Sequence, residues 1–541
     1  MLVVSLAGSV LYARATRAVL AFSAAEAVSS SPADPLPLQG TIELVPRVNR
    51  PARFGRLGRN TLVYGLGGIL GRVVSVVMLP VYTRYLSPTQ YGVLQLLDMA
   101  GDITAILFTA GIRSGLQRFY FKAATQDQRD EVVFTTFFLE MVLSVAGTIA
   151  LIASANIVNR VLLTGAGTPD LVRLAALNFT LATMTAVPLA LLMIEQRATL
   201  NTVIVLAKLT IQVSLNIYFL AYRHLGVASL LLSTAIANAV MGLALVAWML
   251  VRTGLRLSRT MVRDLRRFGV PYQIAAASAF ILTFADRFFL AHDRGTAEVG
   301  LYGLAYQFGF LLYSVSSGPF LTAWEPQRYQ LVSHSREERD ASYARDFLYF
   351  NFVLVTAALG IVLFARPVLA VLTSRPYHSA ASIVPIIVAC YVVQSWGDVV
   401  RFGINVAERT KLIAWASWIA TAVVLLAYAV LIPPFGGVGA AWATFIAFLV
   451  RFGLMLRWSQ QVWPVTYRWS RPLLLTTIAV AVYGLEILSP LTRVSGQIAV
   501  GLGLTLLYAA MAWRFVLDDS HREGLRVVLR ERKLSAMFGR S

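Results

Sequence analysis

Residues 79–102 read LPVYTRYLSPTQYGVLQLLDMAGD, and the order of residue types in this stretch decides how the whole chain is read. An apolar helix ends at its first residues, a tight polar turn follows, and a second apolar helix opens at Gly92 carrying two carboxylates, Asp98 and Asp102. Most of the remaining chain repeats this pattern. Of the 541 residues, 57% are hydrophobic and only 14% charged, with a mean hydropathy of +0.67; soluble domains carry about 25% charged residues. Apolar segments of about 20 residues, each able to cross a hydrocarbon core of about 30 Å, recur with short polar breaks. Fourteen such spans run from Asn60 to Leu517, predicting an all-α polytopic membrane protein.

The net charge of +20 is distributed by topology. With the N-terminus placed in the cytoplasm, the segments on that side hold 32 Lys and Arg residues and those on the other side 6, so both termini are expected to be cytoplasmic. No segment is long enough for a soluble basic domain, which excludes nucleic acid as the partner. Cys390 is the only cysteine, so no disulfide can form within one chain. The five histidines are scattered through turns and tails, and their spacing assembles neither a metal site nor a catalytic triad. In residues 1–22 the apolar run precedes Arg14 and Arg17, the reverse of a cleaved signal peptide.

An internal duplication organises the spans. The turn after span 1, with Arg84 and Gly92, matches the turn after span 7, with Arg287 and Gly300; IEQRATL (194–200) matches VAERTKL (406–412); HLGVASLLLSTAIAN (224–238) matches FGGVGAAWATFIAF (435–448). The offsets at these anchors are 208, 213 and 211 residues. An even number of spans per repeat gives both copies the same orientation, so two six-helix lobes are expected around a pseudo-two-fold axis along the membrane normal. The expected divisions are a basic flexible tail (1–59), a first lobe (60–251), a basic cytoplasmic linker (252–267), a second lobe (268–458), two appended spans (471–517) and a basic tail (518–541).

The ordered motifs L-P-x-Y-T-R-x-L-S-P-x-x-Y-G after span 1, F-G-x-P at Phe268–Pro271, D-R-x-x-L at Asp286–Leu290 and V-G-L-Y at Val299–Tyr302 resemble the polysaccharide or O-antigen lipid flippases (Wzx-like). These belong to the multidrug/oligosaccharidyl-lipid/polysaccharide (MOP) exporter superfamily. The resemblance covers residues 59–458 and implies a MATE-like fold. It also implies export of an undecaprenyl-diphosphate-linked oligosaccharide across a bacterial inner membrane, with polysaccharide polymerase or assembly proteins as further partners.

Moving a diphosphate and a hydrated saccharide through lipid requires a polar path, and ionisable residues far from helix ends are candidates by default. Arg72 lies about 18 Å into span 1 and Asp102 about 15 Å into span 2, at similar depths. Arg72, Lys208 and Arg287 are the candidate cations of a substrate cavity, with Gln212 and Asn216 completing an i, i+4, i+8 polar stripe on span 5 with Lys208. The rival reading of that stripe is interhelical packing. Asp98 and Asp102, spaced i, i+4 on one helix face, are candidates for H⁺ or Na⁺ coupling, with Glu140 as a second coupling group. Asp286 and Arg84 are candidates for an outer gate. Arg401 and Arg451 are expected to snorkel towards headgroups, Asp398 to pair with Arg401, and Tyr302, Tyr306, Phe310 and Tyr313 either to pack or to stack on sugar rings.

No GxxxxGK[ST] stretch is present, so ATP is not the expected direct drive and no cofactor is called for. A MATE-type multidrug antiporter and a lipid II flippase are the same-fold alternatives. An integral-membrane glycosyltransferase, polymerase or ligase is the alternative from another class, opposed by the shortness of every external segment.

Overall fold

The computed structural model describes residue 74 and residues 77–489 and 493–516. Arg72, most of span 1 and both tails therefore lie outside the described residues. Among the described residues the chain is helical without strands. Helix α1 (77–85) is the described end of span 1. The turn after it is short because Ser87 caps α2 (Pro88–Phe108): Gln90 N donates to Ser87 Oγ (3.3 Å) and Ser87 N to Gln90 Oε1 (3.0 Å), with Pro88 in the first turn. Span 2 is broken at Gly111 and continues as α3 (Ile112–Lys122). The first lobe is completed by α4 (Gln126–Ala153), α5 (Ala155–Val161), α6 (Pro169–Ile194), α7 (Ala198–Ile217) and α8 (Val227–Thr253), with α6 packed between α4 and α8.

The second lobe opens with α9 (Arg259–Phe284), which bends by 43° into α10 (Asp286–Asp293). It continues through α11 (Thr296–Leu312), a π-turn at Tyr313–Ser317, α12 (Gly318–Gln330), α13 (Arg336–Leu372), α14 (Val384–Val400) and α15 (Phe402–Val406). Helix α16 (Lys411–Val462) is 52 residues long but is two spans, because Gly436 has φ 55° and ψ −133° and folds the chain back. The appended α17 (Ser470–Ile487) and α18 (Val494–Phe515) bury Leu475, Ile478, Val482, Tyr508 and Ala512 against Leu348, Val355, Leu359 and Leu363 of α13. There Arg366 meets Glu486 at 3.6 Å, which gives Arg366 a partner the sequence did not supply. Ten described helices are long and apolar enough to span a membrane. Counted with the bent α9–α10 there are eleven, and Gly436 divides α16 into two, while most of span 1 lies outside the described residues. Part of the expected cytoplasmic linker is helix, since α9 already begins at Arg259.

The duplication is visible in backbone geometry and sharpens its register. Gly226 (φ 58°, ψ −133°) and Gly436 (φ 55°, ψ −133°) turn the chain identically, 210 residues apart. Glu195 and Ala407 each close a helix at φ −78°, ψ 2°, followed by left-handed Gln196 and Glu408, 212 residues apart. The structural matches thus shift the sequence offsets of 211 and 213 by one residue each.

The lobes meet where the repeats put glycine. A Cβ on Gly92 would overlap the carbonyl oxygen of Thr296 and stand 3.0 Å from Gly300 N. A Cβ on Gly300 would overlap the carbonyl oxygen of Pro88 and stand 3.0 Å from Gly92 N. The contact is reciprocal, as a two-fold relation requires. At the basic end, a Cβ on Gly111 would overlap Gly269 of α9, so span 2 touches the second lobe at both of its ends.

One internal lock does not follow from position along the chain. Arg328, which position assigns to a cytoplasmic loop, is 2% exposed. Its guanidinium lies 3.8 Å from the Phe402 ring centre, 4.3 Å from Trp324 and 5.6 Å from Tyr343, and Nη2 donates to Val399 O (2.8 Å). Among the described residues no carboxylate forms an ion pair with it. Desolvated cation–π contacts contribute about 2 kcal/mol, and lysine cannot reproduce the planar stacking. We therefore expect Arg328→Lys to destabilise the second lobe by about 2 kcal/mol, read as a lower unfolding temperature of the purified protein in detergent; an unchanged transition would remove the lock.

Candidate functional site

The bend between α9 and α10 places two charges inside the apolar bundle. Asp286 opens α10, where a helix N-terminus favours a carboxylate. Its Oδ1 accepts from Arg287 N (2.8 Å) and Arg287 Nη1 (3.0 Å), and its Oδ2 accepts from Tyr302 Oη (2.7 Å). Arg287 also donates to Thr283 O (3.4 Å) and faces Phe284 and Tyr306 at 4.8 and 4.7 Å. Asp286 is 0% and Arg287 2% exposed. Arg287, expected to line a substrate cavity, is a buried cation paired with Asp286; Asp286, expected to form an outer gate with Arg84, is held by its own neighbours; and Tyr302 and Tyr306 pack around the pair, the packing alternative of the two expected for them. The cause is the bend, which turns the repeat motif inward. Arg84, its repeat counterpart, is exposed at the other face of the turn.

Asp98 and Asp102 behave differently. Both are exposed on α2, while Leu96, Leu97, Met99 and Ala100 around them are buried. They lie between the two interlobe contacts of span 2. Being exposed, neither carboxylate requires a close partner; Arg72, which the sequence places at a depth similar to that of Asp102, lies outside the described residues.

The polar stripe of α7 divides. Gln212 Nε2 donates to Thr234 Oγ1 of α8 (2.9 Å), and Asn216, 2% exposed, donates through Nδ2 to Tyr82 Oη of α1 (2.9 Å). These two side chains join helices, as the interhelical alternative expects. Lys208 is half-buried, and among the described residues it forms no ion pair. Glu140 is 0% exposed and meets Arg113 at 3.5 Å, so its coupling role would require breaking this pair. Asp398 pairs with Arg401 at 3.4 Å as the spacing predicts.

Sequence reasoning missed Arg113, Arg328 and the inward-facing Arg451. Arg113 and Arg328 lie near helix ends and Arg451 about three turns before the end of α16, on the basic side where position alone suggests snorkelling. For Arg328 the flanking Trp324 and Tyr329 were the available signal; for Arg113 it was Gly111, which marks the break in span 2.

Comparison with known proteins bears on this arrangement at two levels. A family model described as polysaccharide biosynthesis protein matches residues 81–382, more than half of the chain. No curated protein sequence matches it. Among solved structures, the chain is similar to the lipid II flippase MurJ in an inward closed conformation: TM-score 0.66, 12% identity, covering 84% of this chain and 99% of that one. It is also similar to a multidrug resistance MATE family transporter of the MOP superfamily in an inward-facing conformation: TM-score 0.55, 15% identity, covering 72% and 97%. At these identities the likeness is one of fold. The chain belongs to the polysaccharide biosynthesis protein family and has the fold of the MOP exporters.

Proposed function

We propose that the protein is a flippase carrying an undecaprenyl-diphosphate-linked oligosaccharide from the cytoplasmic to the outer leaflet of a bacterial inner membrane, by alternating access, for surface polysaccharide synthesis. The observation that carries this reading is the reciprocal Gly92–Gly300 crossing between matching helices, each of which is interrupted further along its own span. Span 2 breaks at Gly111 and span 8 at the Tyr313–Ser317 π-turn. Irregular helix segments at matching places let each lobe rock while the spans beyond stay packed. Both termini lie in the cytoplasm in this reading, and the basic end faces it.

In the cycle, inward opening admits the headgroup, the prenyl tail stays in lipid, and rocking of the lobes exposes the headgroup outward. Asp98 and Asp102 supply the coupling: they are the exposed carboxylates between the two interlobe contacts, and H⁺ or Na⁺ binding there changes the charge of the cleft between states. The test is leaflet accessibility of a labelled prenyl-diphosphate saccharide in proteoliposomes. With an imposed ion gradient, flipping should accelerate, and Asp98→Asn with Asp102→Asn should lower the gradient-driven rate at least tenfold. Equal rates with and without the gradient would remove ion coupling.

The exposed pair of carboxylates specifically favours a second reading, a MATE-type antiporter of cationic compounds. Under that reading a lipophilic cation would be exported in exchange for the ion and the labelled saccharide lipid would not move. Substituting lipid II for the oligosaccharide lipid in the same vesicles separates the lipid II alternative.

A further inference from the structure

A cavity of about 250 Å³ lies within the second lobe, between α9, the π-turn, α14 and both arms of α16. Against the apolar trend of these helices it is lined by Thr283, Gln394, Asp398, Arg401, Ser417 and Arg451. Helical position suggested that the two arginines reach for headgroups; both instead face this space.

The cavity carries an excess of one positive charge, two guanidinium groups against the Asp398 carboxylate. The Asp398–Arg401 contact of 3.4 Å is longer than a good charged hydrogen bond of about 2.8 Å, so neither group is saturated by the other. The Nε–H of Arg451 is buried and has no hydrogen-bond partner. A buried donor on a charged group is expensive to leave unmade. Two guanidinium groups repel a cation, and a neutral sugar would leave the excess charge unmet. An oxyanion with several acceptor atoms satisfies both forks, and Gln394 and Tyr313 line the space with further donor groups, while the hydroxyls of Thr283 and Ser417 donate to Ala279 O (2.8 Å) and Ile413 O (3.0 Å) of their own helices. The volume corresponds to about eight waters at roughly 30 Å³ each, enough for a phosphoryl group with part of its hydration.

We propose that this cavity is an anion site that takes a phosphoryl group, with Arg401 and Arg451 as its ligands and Asp398 as a competing charge that keeps binding reversible. Arg401 caps the end of α14 and Arg451 comes from the second arm of α16, so occupancy ties these helices together. The cavity adjoins the Asp286–Arg287 cluster, because Thr283 both lines it and accepts from Arg287. The proposal rests on the transport reading above only for the origin of the phosphoryl group: either the cargo diphosphate or the headgroup of an anionic phospholipid.

The experiment uses the full chain in phosphatidylcholine nanodiscs, with radiolabelled inorganic diphosphate as the probe. Saturable binding is expected, weakened about tenfold by Arg451→Gln and strengthened severalfold by Asp398→Asn, a gain that misfolding cannot produce. No saturable binding, or affinities unchanged in both variants, would overturn the site. In a second arm, discs containing phosphatidylglycerol distinguish the sources. Loss of diphosphate binding there identifies the lipid headgroup as an occupant, and retention favours the cargo diphosphate; both support the site. Diphosphate binding in a protein that fails to flip the saccharide lipid would overturn the transport reading and leave the site standing.

Discussion

Gly92→Ala and Gly300→Ala are each expected to hold the lobes apart at the end of the molecule opposite the basic one, and to slow transport at least tenfold. One methyl group suffices. The Cβ of either residue would occupy the position of a backbone carbonyl oxygen, Thr296 for Gly92 and Pro88 for Gly300, and no rotamer change relieves a clash with backbone. Overpacking of this kind costs about 1–3 kcal/mol, and a bias of that size shifts a two-state equilibrium by about 5- to 150-fold. The cost falls only on the state in which the helices cross, so the population moves to the open one. A labelling reporter follows from the same contact. Gln95 Cγ would sit 2.9 Å from a Cβ on Gly303, which places it beside the crossing. In a Cys390→Ser background, Gln95→Cys should react with a membrane-impermeant maleimide about tenfold faster when Gly92 or Gly300 is alanine. The double alanine variant should fall short of the sum, because the two residues touch. Labelling that does not change in any of these variants would show that the crossing is not a gate.

The same crossing shows what the sequence made legible. Hydropathy and charge asymmetry gave the spans, and the Arg84–Gly92 and Arg287–Gly300 correspondence found the two glycines that meet. Repeat matching works here because a two-fold contact forces the same small residue into both copies. It could not say which way the rest of the motif points. Asp286 and Arg287 turn inward at a 43° bend, while Arg84 stays exposed at the end of α1, because local backbone geometry breaks the symmetry that the residue types preserve. Charged residues near helix ends were read by depth alone. That rule holds for exposed Arg84 and fails for Arg328 and Arg451, whose direction is set by neighbouring aromatic rings and by a polar cavity assembled from five separated segments. The stripe on α7 failed for a related reason: periodicity finds the face but not its neighbour, and Thr234 and Tyr82 occupy it.

The Asp286–Arg287 pair carries the second large effect. Each charge is compensated chiefly by the other, with the Arg287 N–H and Tyr302 hydroxyl donating to the carboxylate and the Thr283 carbonyl and the Phe284 and Tyr306 rings facing the guanidinium, and both side chains are at most 3% exposed. Removing one partner of a buried pair leaves an uncompensated charge and costs about 3–5 kcal/mol. Arg287→Gln, which strands the carboxylate, and Asp286→Asn, which strands the guanidinium, should therefore each lower the unfolding temperature sharply and reduce the yield of folded protein. The double variant Asp286→Asn, Arg287→Gln removes both charges while keeping amides of similar shape, and a neutral replacement of a buried pair is often tolerated. It should recover most of the stability lost by either single change, with a coupling energy of about 2 kcal/mol or more in the cycle. Transport separates structure from chemistry. If the pair only braces the bend, the double variant should also recover flipping. If Arg287 contributes the field felt by Asp98 and Asp102, the refolded double variant should flip without responding to the ion gradient. A double variant no more stable than the single ones would show that the charges do not stabilise each other and that the bend is held by its aromatic wall alone.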